Sequence, residues 1–290
     1  MITGELTWQQ FRALDSMRTL NENQQMEHYY KYLTELNDWI SHQNKGPLPV
    51  TEDTGPALSP NSVLFNSPQG SVYLYDSSTN TSTMLDVPST SSAYASDIAH
   101  TQTKLWINTT NAIREWNITL NPFTATLSRT ITLPHNIGAG LGAIDDTTLI
   151  ATNVSVSPNT VVTLDITNNP ATSTYKFDLV VGGSNRTIAG DLLLTTTNKV
   201  ITTNYQIGTA YATQFDYATG TVEVDTYIGS TIGGPFGLYI ENNNIYIMNS
   251  DGNVYQIGKT SPYSITLTGN TGVTVFGASQ VPSALTTNFT

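Results

Sequence analysis

Two rhythms of apolar and polar positions divide this chain. Up to about residue 46 the apolar residues recur at helical spacing, and from about residue 62 they alternate with polar ones in short runs separated by turn-forming residues. In the first region Thr7 followed by Gln10 fits a capping box, opening a short helix with Trp8, Phe11, Leu14 and Met17 along one side. A second helix carries Met26, Tyr29, Leu33, Leu36 and Ile40, a 3-4-3-4 spacing that draws one apolar seam over two heptads. Lys45-Gly46-Pro47 stops it. Two heptads are too short to hold a helix in water alone, so the seam packs either on the downstream domain or against a partner or a second copy. Between residues 47 and 61 four prolines, Pro47, Pro49, Pro56 and Pro60, exclude helix and central strand, and the stretch reads as an extended linker.

Residues 62–290 repeat a phrase. An apolar residue followed by a turn former occurs at Tyr75-Asp76, Trp116-Asn117, Leu164-Asp165, Phe215-Asp216 and Ile257-Gly258, in steps of 41, 48, 51 and 42 residues. Such a period, filled only with short strands, predicts a β-propeller of four-stranded antiparallel blades. A strand precedes each phrase, as in "KLWIN" and "IYIMN", and another follows, as in "SRTITL" and "VEVDTYI". The Asp or Asn is expected to end the third strand and accept a hydrogen bond from the turn behind it. Five segments rich in small residues, "SDIAHTQ", "GLGAIDD", "TIAGDLL", "PFGLYIE" and "VFGASQV", fit the crowded innermost positions. The last lacks outer strands of its own, whereas the start of the region has outer strands and no inner one. The fold expected is therefore mainly β: a five-bladed propeller behind a short N-terminal α-helical segment, the ring closed by the C-terminal strand joining the N-terminal blade.

Composition narrows the partners. Eleven Lys and Arg against 22 Asp and Glu give a net charge of −11, which repels nucleic acid and anionic membrane surfaces. There is no cysteine, so disulfides, thiolate nucleophiles and cysteine zinc sites are excluded. Thr supplies about one residue in six, a polar but weakly charged surface that suits exposed strand faces. Neither a basic-apolar leader nor an apolar run of about 18 residues is present, so the expectation is a soluble chain without a cleaved signal.

Segments such as "QFDYATGTVEVDTYIG" and "VVTLDITNN" resemble the repeat of YVTN-type and quinoprotein-like propellers, in which an apolar strand ends in Asp before a Thr-rich turn. A helical N-terminal segment, a Thr- and Asn-rich propeller and no cysteine together also resemble accessory virion proteins of tailed bacteriophages. That resemblance implies a virion component, in the head, the tail or a fibre, that docks by its N-terminal helices and meets other subunits, further copies of itself or a surface glycan. Enzymatic propellers place carboxylates and metals at the mouth of the central channel. Here Asp97, His100, Asp145, Asp146, Asp191 and Glu241 fall on or beside inner strands, in positions that are not equivalent, and turn duty accounts for Asp145 and Glu241. Tyr94, Tyr211 and Tyr239 are the aromatic candidates for surface contacts. No phosphate loop, nucleophile elbow or calcium-loop pattern occurs, and no cofactor or metal ligand set is assigned. The reading is a non-enzymatic structural and interaction protein; the alternative is a propeller enzyme acting on sugars or lactones.

Overall fold

A computed structural model describes residues 56–88, 95–109, 111–185, 190–206, 209–229 and 234–290. The N-terminal helices expected from the sequence and the seam Met26, Tyr29, Leu33, Leu36 and Ile40 lie outside the described residues, as does Tyr94.

The described chain is mainly β and forms a five-bladed propeller. Its first strands, β1 (Val63–Asn66), β2 (Val72–Asp76) and β3 (Thr81–Met84), await an inner partner. Four complete blades follow. The first contains β4 (Ala95–His100), β5 (Lys104–Thr109), β6 (Ala112–Leu120) and β7 (Phe123–Thr132). The second contains β8 (Ile137–Ala143), β9 (Thr148–Asn153), β10 (Thr160–Asp165) and β11 (Thr172–Asp178). A two-residue ribbon, β12 (Val180–Val181) with β13 (Ser184–Asn185), then leads on, with Gly182 and Gly183 at its tip, both at positive φ. The third blade contains β14 (Leu192–Leu194), β15 (Lys199–Gln206), β16 (Thr209–Asp216) and β17 (Val222–Gly229). The fourth contains β18 (Pro235–Glu241), β19 (Asn244–Asn249), β20 (Asn253–Ile257) and β21 (Ile265–Asn270). Finally β22 (Gly277–Ser279) pairs antiparallel with β1, Phe65 opposite Ala278, and completes the closing blade in the order β22-β1-β2-β3.

Strand period two builds the core. On β5, Trp106 faces the second blade while Leu105 and Ile107 face the closing blade, so consecutive residues are buried against different neighbours. Five apolar clusters result, one at each blade junction. Outermost strands cover nothing further out and stay wet: on β11 five consecutive residues from Thr172 to Lys176 are exposed. A register shift interrupts the pairing of the third with the fourth strand in all four complete blades. Such bulges twist an edge and discourage another chain from adding to it.

Most repeat phrases end strands as expected. Asp76, Asp165 and Asp216 each accept from the backbone N–H two residues on, at 2.9, 2.9 and 3.1 Å. Trp116-Asn117 does not. There β6 runs on to Leu120, because Ile118 continues the buried face, and Asn117 accepts from the Lys104 ammonium at 2.6 Å instead of capping a turn.

Candidate functional site

Inner strands β4, β8, β14, β18 and β22 converge on the axis, and the polar side chains they carry there bond to one another's backbones. Asp97, wholly buried, accepts from Ile98 N–H at 2.7 Å through Oδ1. Its Oδ2 accepts from Gly140 and Leu141 N–H of β8 at 2.7 and 2.6 Å. Asp191, equally buried, accepts from Leu192 N–H at 2.6 Å through Oδ1, and through Oδ2 from Leu238 of β18 at 2.7 Å and Ala278 of β22 at 3.3 Å. Desolvation first, and then the charge of Asp191, push the Asp97 carboxyl far above the ordinary range. Burial raises Asp191 to about 8.

At the other end of β4, His100 is 1% exposed. Its main-chain N–H donates to Ser279 Oγ at 2.8 Å, and its Nδ1 lies 2.8 Å from the same oxygen. Burial drives the imidazole down to about 3, so it is neutral near pH 7. Gln280 completes the seal of the last strand, accepting from Ile240 N–H at 2.7 Å and donating to Ile240 O at 2.9 Å. Asp191 and His100, expected at the channel mouth, are thus closed off from solvent. Small inner residues bring the five strands so near that these side chains fill the gap between them.

The three remaining acidic candidates, Asp145, Asp146 and Glu241, sit on the hairpins between first and second strands. Asp145 caps its own hairpin, accepting from Thr147 N–H at 2.8 Å. Asp146 accepts from Thr101 and Thr103 hydroxyls of the first blade, both at 2.5 Å. The same residues line an open cleft of about 440 Å³. Glu241 ends β18 before a turn in which Asn242 and Asn243 both have positive φ, and it accepts from Ser77 Oγ of the closing blade at 2.6 Å. Beside it lies a cleft of about 280 Å³ lined by Asn61, Ser62, Tyr75 and Ser77. Asp146 and Glu241 are thus blade-to-blade fasteners, while Asp145 serves its own turn. Among the described residues no group of three or more His, Asp or Glu side chains could hold a metal ion.

Tyr239 is not a surface contact. It is 1% exposed, stacked on Tyr246 at 4.7 Å between ring centroids and edge-on to Tyr75 at 6.1 Å, because β18 turns it into the junction with the closing blade. Tyr211 is partly exposed and meets Tyr227, itself 50% exposed, edge-on at 5.7 Å on the outer half of the third blade.

One repeated feature escaped the sequence reading. Every second strand carries an asparagine at or near its end, at Asn66, Asn108, Asn153, Asn204 and Asn249, in steps of 42, 45, 51 and 45 residues. All are buried. Asn66 donates to Ala95 O at 3.5 Å and Asn108 to Gly138 O at 3.0 Å, each fastening its blade to the start of the next. Aligning the units on these asparagines, instead of on the Asp phrase, would have found them.

No family model and no curated protein sequence matches the chain. Solved structures match by shape. A nidogen/laminin complex aligns at 9% identity and TM-score 0.50, covering 77% of this chain and 98% of that one. Glutaminyl cyclase from Myxococcus xanthus aligns at 12% identity and TM-score 0.45, over 73% of this chain and 94% of that one. The Cps50 (Swd1) β-propeller domain from Myceliophteria thermophila aligns at 12% identity and TM-score 0.41, over 72% of each. These likenesses concern the fold alone. Among the described residues no helix is long and apolar enough to cross a membrane.

Proposed function

We propose that the chain is a non-enzymatic interaction protein, a virion component of bacteriophage type, that docks through its N-terminal 46 residues and presents the propeller to neighbouring subunits or a host surface. The observation that supports it best is the use of the axial groups. Asp97, His100 and Asp191, where propeller chemistry would be placed, are each spent on holding inner strands together. A site built that way stabilises the ring and leaves recognition to the outer strands and loops.

Those outer strands suit the task. Thr172 to Lys176 on β11 form a polar, weakly charged face, with Tyr175 59% exposed within it. Bulged edges keep that face from recruiting strands indiscriminately. Light scattering on the full chain beside a chain starting at Pro47 tests the docking half. An oligomer that becomes a folded monomer on truncation supports it, and two monomers would sink it.

A further inference from the structure

Six main-chain N–H groups, from Ile98, Gly140, Leu141, Leu192, Leu238 and Ala278, are aimed at the carboxylates of Asp97 and Asp191. Among the described residues no basic side chain is a hydrogen-bond partner of either group, so burial holds both carboxyls above the ordinary range, and only a bound cation would let the pair ionise.

Asn66 shows where it would sit. Its side chain is fully buried, and Nδ2 donates to Ser67 O at 3.1 Å and Ala95 O at 3.5 Å. Those bonds fix the amide, since a flipped one would set its oxygen against two carbonyls. The remaining atom, Oδ1, has no partner among the described residues. It converges with Asp97 on one point: a Cβ added to Gly277 would collide with Asp97 Oδ1 and lie 2.9 Å from Asn66 Oδ1. On the next residue, Ala278 N–H reaches Asp191 Oδ2. Asp97 Oδ1 and Asn66 Oδ1 therefore converge at Gly277, with the Asp191 carboxyl beside them at the neighbouring Ala278 N–H. An orphaned acceptor turned toward a carboxylate is the arrangement a cation would satisfy.

We propose that the axis binds one divalent, oxygen-preferring cation of the Ca²⁺ class, held by Asp97 and Asp191 with Asn66 Oδ1 as a third protein oxygen. Its charge equals that of the two carboxylates. Oxygen-only donors select Ca²⁺ over softer metals. Because Asp97, Asp191 and Asn66 come from three different blades, the ion would tie the closing blade to the first and third, and would bind the folded ring but not the open chain.

Elemental analysis and thermal unfolding of the full chain, in EGTA and in Ca²⁺ at constant ionic strength, test this. The expected result is about one Ca²⁺ retained per chain and an unfolding temperature higher by about 5–10 °C at Ca²⁺ about 100 times its Kd. Asp97→Asn should abolish the shift. Asn66→Ala, which keeps both carboxylates, should weaken Ca²⁺ binding by about 10-fold or more, and it carries the test if Asp97→Asn fails to fold. No retained metal with identical unfolding in Ca²⁺ and EGTA would overturn the proposal, as would a Ca²⁺ response undiminished in Asn66→Ala.

Discussion

Phe289 anchors the last segment of the chain, and replacing it by alanine isolates what that anchor is worth. The ring is 2% exposed and packs between the third and fourth blades with Leu238, Ile257 and Leu285, edge-on to Tyr263 at 5.6 Å. Its own N–H donates to Gln214 Oε1 at 2.8 Å, and its carbonyl accepts from Gln214 Nε2 at 3.2 Å. Thr290 N–H adds a bond to Lys259 O at 2.9 Å. Deleting a buried Phe ring costs about 3–5 kcal/mol when the backbone stays in place. Here the backbone can leave, so the loss is capped at the free energy with which the tail docks. We expect about 3 kcal/mol, which for a domain of this size lowers the unfolding temperature by roughly 6–12 °C. Thermal unfolding gives the magnitude, and hydrogen exchange at residues 285–290 gives the location. In the parent these amides should be protected, and in Phe289→Ala they should exchange at the rates of unfolded chain while β16 and β20 keep their protection. An unfolding temperature within about 1 °C of the parent, or a tail that exchanges freely in the parent, would refute the reasoning.

Other substitutions probe other junctions. Gly277→Ala puts a Cβ onto Asp97 Oδ1 and within 2.8 Å of Asp97 Cα; with backbone on the far side it should cost about 2 kcal/mol or more in denaturant unfolding. Glu115 is 1% exposed, and although burial alone would raise it, bonds from Arg129, Lys104 and Trp106 together hold its carboxyl below the ordinary range. A depressed folded value stabilises above the unfolded pKa and is lost as pH falls. The parent's advantage over Glu115→Gln, about 2–4 kcal/mol near pH 7, should therefore shrink below about pH 4.5, and a gap that does not change with pH would contradict it. Asp165→Ala removes two bonds to Thr167, at 2.9 and 2.6 Å, from an exposed turn and should destabilise far less than Phe289→Ala in the same unfolding assay.

What the sequence made legible were the features that repeat. Period-two alternation with an Asp-capped turn every forty to fifty residues placed the blades, and small residues marked the inner strands. The failures have physical reasons. Trp116-Asn117 misled because an amide can serve in a ladder as well as in a turn, and only the burial of Ile118 decides which. Tyr239 reads as a surface residue in sequence because an aromatic on a strand looks the same whichever face is turned inward. Asp191 and His100 were placed near the axis, but how tightly five strands close around it depends on contacts between distant segments. The axial bonds of Asp97 span from one residue to 44 in sequence, and those of Asp191 reach as far as 87. No local pattern encodes such pairs.

The mixed closing blade also decides how this protein responds to force. Tension arriving along the chain from its N-terminal side reaches β1, which is not an edge strand: β22 grips it on one flank and β2 on the other. Pulling β1 along its own direction shears both ladders together, Leu64 against Ser279 and Leu74 at once, where pulling on an edge strand would strain one. β22 in turn is held by Ser279 to the first blade and by Gln280 to the fourth. A tug on one end of the chain is thereby shared among blades on both sides of the seam, so the place where the ring is joined is braced by more than its own ladder.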